Sequence, residues 1–417
     1  MAIVVQKFGG SSVADRKCML QVLDKVHRKL DQGYKVVVVL SAMSGQTDHL
    51  LRMAGEWVER PDPCQLDVLL TTGEQTSVAL FTMLLIDHGI KARSVLGFQI
   101  PLHTDRSYGK ARILDIDAAN LLSFLEKNDV LVVAGFQGCD CLQNLTTLGR
   151  GGSDTSAVAL AAAMEAEVCE IHTDVDGVYT TDPNVCPQAR KLSRIAYDEM
   201  LEMASMGAKV LQIRSVEFAK KYQVPVLVCS TFNDGPGTLL VQEDKNMEAA
   251  MVSGIAYDKD QSLITLVDVY DEPGIAARIF EPLASANIVV DMIVQNPSRE
   301  GRTDMTFTVA KGDLNRSLRL IEGFQEEIGA RTIVSDSKVA KVSIIGVGMR
   351  NHSGVAAIAF KALQSEDINI MIISTSEIKI SCLIDEKYTE LAVRTLHEAF
   401  GLEQEPQTIG QTEADTP

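Results

Sequence analysis

The stretch TLGRGGSDTSAVALA, residues 147–161, sets three glycines and one arginine before the polar residues SDTS and a run of small apolar residues. This order is typical of a strand that turns into a helix, with backbone N–H groups able to approach an anion at the helix N-terminus. Ser153 and Asp154 are common helix-capping residues, and capping alone would explain both. Capping does not explain Arg150, whose planar guanidinium suits bidentate binding of a carboxylate or phosphate. The stretch therefore predicts a strand–turn–helix that binds an anion.

Around this stretch, the first 245 residues alternate short apolar runs with helical segments. The apolar runs are rich in Val and Ile and do not alternate strictly with polar residues, as expected of strands covered on both faces. The pattern predicts an α/β domain with a mainly parallel sheet sandwiched by helices. The predicted strands are residues 2–8, 35–42, 91–97, 129–136, 167–174 and 224–231. The predicted helices lie near residues 14–31, 47–59, 74–88, 117–127 and 154–165.

Two further motifs follow predicted strands, at the end of the sheet where ligands of such folds bind. KFGGSS (7–12) places Lys7 at the end of the first strand, where a lysine can neutralise the charge of a transferring phosphoryl group. The same pattern is often only a tight connection between a strand and a helix. TDVDGVYTTDP (173–183) has the composition of a plain loop, but it also carries Tyr179, an aromatic residue suited to a base pocket.

Two polar segments supply candidate substrate ligands. SAMSGQT (41–47) follows the second predicted strand, and the hydroxyls of Ser41 and Thr47 suit a small polar substrate. TTGEQTS (71–77) is expected to begin a helix with Glu74 in its first turn. Glu74 is then either a partner of the helix dipole or an acceptor for a ligand ammonium group.

The chain of 417 residues has a net charge of −17, which argues against nucleic acid as a partner because phosphates attract clustered Lys and Arg. An acidic protein that binds anions needs fixed cations, and Lys7, Arg150 and Lys209 stand out. The longest apolar run, residues 78–86, is shorter than a membrane span and is interpreted as a buried helix. No secretory signal and no C-x-x-C pair is visible. We therefore expect a cytoplasmic protein with reduced cysteines, no membrane partner and no metal site of its own.

An internal repeat with an offset of 80 residues follows the α/β region. Residues 274–295 and 354–375 are identical at eight of 22 positions. Each copy has the pattern strand, helix, strand, strand, helix, which predicts two ferredoxin-like βαββαβ units. The predicted boundaries are residues 1–245 for the α/β domain, 246–262 for a linker and the first strand of the second region, 263–336 and 337–402 for the two copies, and 403–417 for a disordered tail.

Seven motifs in a fixed order carry a resemblance that covers everything except the tail. They are KFGGSS, SAMSGQT, TTGE, GFQG, TLGRGGSDTSAVALA, TDVDGVYTTDP and GAKVLQIRSVEFA. In this combination the chain resembles the aspartate kinases of the amino-acid kinase family, and the repeat resembles their pair of regulatory ACT domains. The resemblance implies ATP-dependent phosphorylation of the β-carboxylate of L-aspartate to 4-phospho-L-aspartate. It further implies Mg²⁺ held mainly through the nucleotide phosphates, and a pathway leading to lysine, threonine and methionine.

The resemblance also assigns roles to residues of this chain. Arg150 would bind the α-carboxylate of aspartate, Glu74 its ammonium group, and Lys7 the γ-phosphoryl group. The implied catalytic residues are Lys7, Asp154 and Lys209, and the implied substrate-binding residues are Ser41, Thr47, Glu74, Arg150 and Ser153. The implied nucleotide-binding residues are Lys7, Gly9, Gly10, Ser11, Thr173, Asp174, Tyr179 and Lys209. One departure from the family pattern is Asn184, where many relatives carry an arginine near the phosphates; Arg190 or Lys191 is expected to substitute, or nucleotide affinity is lower.

For the repeat, the simplest interpretation is a structural dimerisation module, whereas the ACT resemblance implies feedback inhibition by lysine and/or threonine across an ACT–ACT interface. The implied effector-binding residues are Asp271, Ala276, Gln295, Asn369, Ile370, Ser376 and Glu377. The resemblance implies a homodimer or homotetramer formed through these domains. A separate ACT-only subunit, started internally at Met247 or Met251, is a further expectation.

Two alternatives remain open on the sequence alone. The first is another member of the same kinase family, acting on glutamate, acetylglutamate or a nucleoside monophosphate. The pairing of TTGE with GRGGSD and the double ACT region argue against it. The second is a catalytically silent amino-acid sensor, against which the intact Lys7, Arg150, Asp154 and Lys209 argue.

Overall fold

The computed structural model of the chain describes residues 2–99, 102–206, 210–244, 251–296 and 301–404. The chain divides into two compact units. The first unit comprises residues 1–179 and 191–247, and the second comprises residues 180–190 and 248–417. The tail expected to be disordered lies outside the described residues from position 405 onward.

The first unit contains short strands and longer helices in alternation. Its strands are β1 (Ile3–Phe8), β2 (Lys35–Leu40), β3 (Ala92–Val95), β4 (Leu102–Thr104), β5 (Ile113–Ile116), β6 (Val130–Ala134), β7 (Gln137–Cys139), β8 (Leu145–Thr147), β9 (Val168–Thr173), β10 (Arg194–Ala196), β11 (Val226–Ser230) and β12 (Thr238–Val241). Its helices are α1 (Arg16–Asp31), α2 (Gln46–Trp57), α3 (Pro63–Asp87), α4 (Ala118–Lys127), α5 (Gly152–Ala163), α6 (Tyr197–Ser205) and α7 (Ile213–Tyr222).

The main sheet of this unit has the strand order β10-β12-β11-β9-β1-β2-β6-β3 in the described part of the chain. Its pairings are parallel except between β11 and β12. The six predicted strands are β1, β2, β3, β6, β9 and β11, so the prediction of a mainly parallel sheet is confirmed. Strands β1 and β6 are buried at every position, which explains why their sequences are largely apolar rather than alternating.

Helices cover the two faces of this sheet. On one face, Val4, Val38 and Val132 belong to the same apolar cluster as Val22 of α1 and Phe81 of α3. The intervening strand residues point to the opposite face because side chains alternate along a strand. Helix α5 packs against β1 and β9 and is buried over most of its length, which its alanine-rich sequence permits.

A second, smaller sheet with the order β5-β4-β7-β8 was not predicted. Its strands are only three or four residues long, too short to show a strand pattern in the sequence. Strand β8 of this sheet packs beside α3 and leads directly into the GRGG turn before α5.

Helix α3 differs from its prediction, because it begins at Pro63 rather than near Glu74. Asp62 caps it by accepting a hydrogen bond from the backbone N–H of Gln65, and Pro63 occupies the first turn. Glu74 therefore lies in the middle of a 25-residue helix, and its interpretation as a helix-dipole partner is wrong. Among the described residues, α3 is long and apolar enough to span a membrane by length and composition alone, yet 50% of its most apolar window is buried in the protein.

The second unit contains one antiparallel sheet covered by helices. Its strands are β13 (Gly254–Tyr270), β14 (Val290–Gln295), β15 (Arg302–Val309), β16 (Thr332–Ile345), β17 (Ile370–Thr375) and β18 (Lys379–Asp385). Its helices are α8 (Ile275–Ser285), α9 (Leu314–Glu322), α10 (Gln325–Ile328), α11 (Val355–Ser365) and α12 (Thr389–Ala399). The described strand order is β14-β15-β13-β16-β18-β17, so the two copies form a single sheet.

The two long strands β13 and β16 are shared between the copies. Residues 261–267 of β13 pair with residues 332–339 of β16 and belong to the first copy. Residues 254–258 of β13 pair with residues 341–345 of β16 and supply the fourth strand of the second copy. The segment expected to be a linker and first strand thus completes the second ferredoxin-like unit, an exchange that an unbroken 17-residue strand hides in the sequence.

Residues 180–190 leave the first unit and cluster with the second, although the sequence analysis assigned them to the first domain. The carbonyl of Thr180 accepts a hydrogen bond from the N–H of Ile255 at 2.7 Å. The Thr180 hydroxyl lies 2.9 Å from Nε2 of His397, and the Tyr257 hydroxyl donates to Asp182 at 3.1 Å. These contacts attach the segment to β13 and α12.

Candidate active site

A pocket of about 330 Å³ opens in the first unit at the carboxyl ends of β1, β2 and β6, against the N-terminus of α5. This is the edge of a parallel sheet at which the sequence analysis predicted ligand binding. The residues that line the pocket are Lys7, Gly10, Ser41, Ala42, Met43, Ser44, Gly45, Thr47, Asp48, Glu74, Phe136, Gly149, Arg150, Gly151, Gly152, Ser153 and Asp154.

Lys7 and Asp154 form an ion pair in this pocket. Lys7 lies near the end of β1, Asp154 lies in the first turn of α5, and their Nζ and Oδ1 atoms are 2.6 Å apart. The residues are only 9% and 8% exposed. Capping does not account for Asp154, because Gly151 is the N-cap of α5 and no side chain caps this helix. Asp154 instead places a negative charge directly against the lysine of the pocket lining.

Glu74 contributes a second buried carboxylate, 3% exposed, from the middle of α3. Its Oε1 accepts a hydrogen bond from the backbone N–H of Ala42 at 3.1 Å. Its Oε2 has no hydrogen-bond partner within the described residues. Burial raises the pKa of Glu74 to about 7, an effect that the hydrogen bond from Ala42 only partly offsets. Glu74 is therefore an incompletely satisfied acceptor that faces the pocket.

Arg150 lies exposed at the pocket, in the turn between β8 and α5. Gly149 and Gly151 on either side have φ values of +81° and +69°, which favour glycine. A side chain at position 151 would also collide with Gln212, since a Cβ there would lie 1.8 Å from its Cγ. No carboxylate of the described chain pairs with Arg150, so its guanidinium is available to an anionic ligand.

The structure brings all five predicted substrate-binding residues together. Ser41, Thr47 and Ser153 line the same pocket as Glu74 and Arg150. Residues without a predicted role include Asp48 and Phe136, which line the pocket, and the backbone of Ala42. Phe136 has a positive φ of 67°. The positive φ of a phenylalanine leaves no mark in the sequence beyond the GFQG motif around it.

The predicted nucleotide residues are more dispersed. Gly10 lines the pocket and Gly9 lies beside Lys7, whereas Ser11 is exposed outside the lining. At the end of β9, the Thr173 hydroxyl donates to Asp174 at 2.9 Å. The structure does not bring Thr173, Asp174 or Tyr179 into the pocket lining. Lys209 lies outside the described residues.

The two residues expected to replace an arginine at Asn184 lie in different units. Lys191 belongs to the first unit, and its Nζ lies 3.1 Å from a carboxylate oxygen of Asp176. The same carboxylate accepts a hydrogen bond from the Tyr179 hydroxyl at 2.9 Å. Arg190 belongs to the second unit, with Asn184 itself. Lys191 is thus the candidate that lies beside the TDVDGVY loop.

In the second unit, the predicted effector residues form two groups at opposite edges of the sheet. In the first group, Gln295 at the end of β14 donates to Asp271 at 3.4 Å, and Ala276 is exposed in the first turn of α8. The second group surrounds β17 and comprises Asn369, Ile370, Ser376 and Glu377. Because four strands separate β14 from β17, one chain does not bring the two groups into a single site.

Family models match both units of the chain. A model of the amino acid kinase family matches residues 2–230, and models of the ACT domain match residues 263–323 and 342–400. In the described residues, the first span contains the pocket and every strand of the main sheet except β12, and the other two spans cover most of each ferredoxin-like copy.

Full-length relatives extend the similarity. An aspartate kinase of Pseudomonas putida is 53% identical over 404 residues, which cover 97% of this chain and 98% of the relative. Escherichia coli aspartokinase III in complex with aspartate and ADP (R-state) has a TM-score of 0.77 at 29% identity, covering 95% of this chain and 99% of that one. The same enzyme in complex with lysine and aspartate (T-state) has a TM-score of 0.76 at 28% identity, with the same coverage. The chain therefore belongs to the amino acid kinase family and, within it, to the aspartate kinases with two C-terminal ACT domains.

Proposed function

We propose that this kinase transfers the γ-phosphoryl group of ATP to the β-carboxylate of L-aspartate and produces 4-phospho-L-aspartate. The observation that carries the proposal is the convergence of the Lys7–Asp154 pair, Glu74 and Arg150 on one pocket. These groups supply one cation for each of two anionic partners and one acceptor for an ammonium group. The E. coli aspartokinase III structure with aspartate and ADP, which has the same fold, supports this assignment.

The substrate amino acid binds by its two α-substituents in this proposal. Arg150 forms a bidentate pair with the α-carboxylate. Glu74 accepts hydrogen bonds from the ammonium group through Oε2, the oxygen with no partner among the described residues. Ser41, Thr47 and Ser153 hydrogen-bond the remaining substrate oxygens. The β-carboxylate is then directed toward Lys7.

The nucleophile is a carboxylate, so no strong general base is required. The main obstacle is the repulsion between a carboxylate and a triphosphate, both of which are negative. Lys7 neutralises charge on the transferring phosphoryl group, and Asp154 holds the Lys7 ammonium in position. Mg²⁺ would supply further neutralisation and would be held mainly through the nucleotide phosphates. The described residues contain no group of three His, Cys, Asp or Glu side chains able to hold a metal ion.

The nucleotide occupies the side of the pocket next to β1 and β9. Gly9, Gly10 and Ser11 at the end of β1 wrap its phosphates through backbone N–H groups. Thr173, Asp174 and Tyr179, outside the pocket lining, are assigned to the adenine and ribose. Lys209, which lies outside the described residues, is assigned to the phosphates. Support comes from register, since Phe8 of β1 pairs with His172 of β9 and both strands end at the same edge.

Regulation resides in the second unit. We propose that lysine and/or threonine bind at the edge strands β14 and β17 and that they inhibit the kinase. Because the two residue groups lie at opposite edges of one chain, a site built from both requires a second chain, and hence a homodimer or homotetramer formed through the ACT domains. The E. coli enzyme crystallised with lysine and aspartate supports an amino-acid effector. The reaction is the first step toward lysine, threonine and methionine, in the cytoplasm; a separate ACT-only subunit remains part of the proposal.

The deciding experiment is ADP release measured with ATP, Mg²⁺ and a panel of acceptors comprising aspartate, glutamate, acetylglutamate and a nucleoside monophosphate. We expect turnover with aspartate alone, reduced by lysine and threonine added singly or together. Turnover with another acceptor but not aspartate would assign a different substrate. Binding of lysine without any ATP turnover would identify an amino-acid sensor and refute the proposal.

A further inference from the structure

Asp67 is a fully buried carboxylate outside the pocket lining. It lies on α3 and is 1% exposed. Its oxygens accept hydrogen bonds from the Thr147 N–H at 2.8 Å, the Thr147 hydroxyl at 2.7 Å and the Gly109 N–H at 3.0 and 3.1 Å. No cationic side chain of the described chain pairs with it. A buried carboxylate held only by neutral donors is costly, so its placement calls for a physical reason.

One reason is that Asp67 fixes the position of Thr147 at the end of β8. Thr147 is the last residue of β8 and stands three positions before Arg150. The carbonyl of Thr147 accepts from the N–H of Ala111 at 2.9 Å, so Thr147 is held through its amide, hydroxyl and carbonyl. The next carbonyl, that of Leu148, accepts from Nη1 of Arg214. The backbone that leads to Arg150 is therefore tied down up to the start of its turn.

The same carboxylate also binds Gly109, a residue that packs against this turn. Gly109 is the second residue that donates to Asp67, and its carbonyl packs against Gly149. A Cβ on residue 149 would lie 3.0 Å from the Gly109 carbonyl oxygen. Asp67 thus binds both the strand that enters the turn and the residue packed against it.

The second reason is the position of Asp67 on its helix. Asp67 and Glu74 are seven residues apart on α3, which is two helical turns or about 10 Å along one face. Glu74 faces the pocket, and Asp67 contacts the strand that delivers Arg150. The two groups proposed to bind the ammonium and α-carboxylate of the substrate are therefore linked through one helix and one carboxylate.

We propose that Asp67 is a positioning residue that sets the separation between Glu74 and Arg150, and thereby the fit of the α-amino acid group. The inference rests on the proposed function for the identity of the substrate. We call the hydrogen bonds from Gly109 and Thr147 to Asp67 the clamp. The inference predicts that loss of the clamp weakens the binding of aspartate and leaves the binding of ATP unaffected.

The test compares Asp67→Asn with Leu85→Ala, a control that opens a cavity in the core elsewhere on α3. Asp67→Asn keeps the shape but places an N–H₂ group against existing donors. We expect its KM for aspartate to rise about tenfold, with KM for ATP within about twofold of wild type, since small misplacements of a binding group are costly. Leu85→Ala is expected to lower thermal stability and leave both KM values unchanged.

Thr147 provides a second pair of variants in case Asp67→Asn does not fold. Thr147→Val removes only the hydroxyl bond to Asp67 and is expected to raise KM for aspartate about threefold, in proportion to one lost hydrogen bond. Thr147→Ser retains the hydroxyl and should restore a value near that of wild type. A KM for aspartate equal to wild type in both Asp67→Asn and Thr147→Val would overturn the inference.

A readout independent of turnover separates this inference from the proposed function. Amide hydrogen exchange at one or both of Gly109 and Thr147 should be at least about tenfold faster in Asp67→Asn than in Leu85→Ala, because only the former replaces one of the two acceptor oxygens with an N–H₂ donor. If the wild type shows no turnover with aspartate, the proposed function fails while faster exchange still supports the clamp. Unchanged exchange at both amides would refute the clamp whatever the substrate.

Discussion

Nζ of Lys7 and Oδ1 of Asp154 lie 2.6 Å apart, and this contact joins the end of the central strand β1 to the first turn of α5. Neither side chain is more than 11% exposed, so each charge depends on the other for compensation. A ligand phosphate that approaches Lys7 therefore meets an ammonium group whose position is already set. Preorganisation of this kind favours the transition state because no reorientation is needed during the reaction.

Lys7→Ala should reduce kcat about 100-fold, corresponding to about 3 kcal/mol of lost transition-state stabilisation, with only a modest change in KM for aspartate. The reason is that Lys7 is assigned to the transferring phosphoryl group rather than to the amino acid. Steady-state kinetics with ATP and aspartate measure both constants. Lys35→Ala is the matched control, since Lys35 also lies on a strand of this sheet and pairs with Asp129 at 2.8 Å, outside the pocket. A kcat near the wild-type value in Lys7→Ala would exclude Lys7 from the mechanism.

Two buried glutamates of the first unit have pKa values that are shifted in opposite directions. Glu74 has one backbone donor, and burial raises its pKa to about 7. Burial alone would also raise the pKa of Glu170, but His172, Gln6 and Lys29 outweigh it and lower the pKa to about 2. The first carboxylate is poised for a cationic ligand, whereas the second has its partners within the fold. The pH dependence of stability should therefore distinguish Glu74, a proposed ligand-binding residue, from Glu170, a structural one.

Glu74→Gln should raise KM for aspartate and also stabilise the protein at high pH. The pKa of Glu74 rises from 4.5 to about 7 on folding, so the folded state binds the extra proton and stability falls as pH increases through this window. The amide of the variant does not ionise. The free energy of unfolding of the variant should therefore exceed that of wild type by nothing near pH 4.5 and by at most about 3 kcal/mol above pH 7. Thermal unfolding from pH 5 to 8 measures this. Equal melting temperatures of the two proteins at pH 8 would contradict the assignment of a buried carboxylate whose pKa is raised on folding.

Glu170→Gln should show the opposite trend and leave both KM values unchanged. Its pKa falls from 4.5 to about 2 on folding, so its contribution is complete above pH 4.5 and is lost as pH decreases toward 2. We expect the free energy of unfolding of the variant to be about 3 kcal/mol lower than that of wild type at neutral pH, and this difference should shrink below pH 4.5. Denaturant unfolding at pH 7 and at pH 3 tests this, and a deficit that does not depend on pH would rule out the ionised network as its cause.

Composition and spacing were sufficient to predict the sheet, because strands such as β1 and β6 are buried at every position and carry few polar residues. They were insufficient for the start of α3, although Asp62 followed by Pro63 is itself a helix-start pattern. The polar TTGE motif inside the helix concealed its continuity. The position of Arg150 at the pocket could be expected from local context, because helix capping does not account for an arginine in this turn, and its binding of an anion stays a prediction.

Other features depend on contacts distant in sequence and leave no local pattern. The bond between Asp67 and Thr147 spans 80 residues, and nothing in either segment indicates the other. The sequence shows only that Asp67 precedes Glu74 by two helical turns, which does not predict its contact with Thr147. The exchange of strands between the ACT copies is hidden for the same reason, since pairing between β13 and β16 is decided by tertiary packing rather than by propensity.

Feedback inhibition provides the last prediction. Asp271→Ala and Glu377→Ala should each raise the concentration of lysine or threonine needed for half-inhibition about tenfold or more, the usual cost of a lost charged hydrogen bond to a ligand. Asp271 lies beside Gln295 at one edge of the sheet, and Glu377 lies 3.4 Å from Arg350 beyond β17. Neither residue lines the pocket of the first unit, so both variants should keep wild-type kcat in the absence of effector.

Glu390→Ala is the control for these two variants, because Glu390 pairs with Lys259 on the surface of the same unit and belongs to neither group. Its inhibition by lysine and threonine should match that of wild type, since removal of a surface ion pair changes little. Inhibition curves that coincide for wild type and both edge variants would place the effector site elsewhere. A shift in Glu390→Ala as large as in the edge variants would instead indicate a general effect on the second unit, because that residue has no proposed contact with the effector.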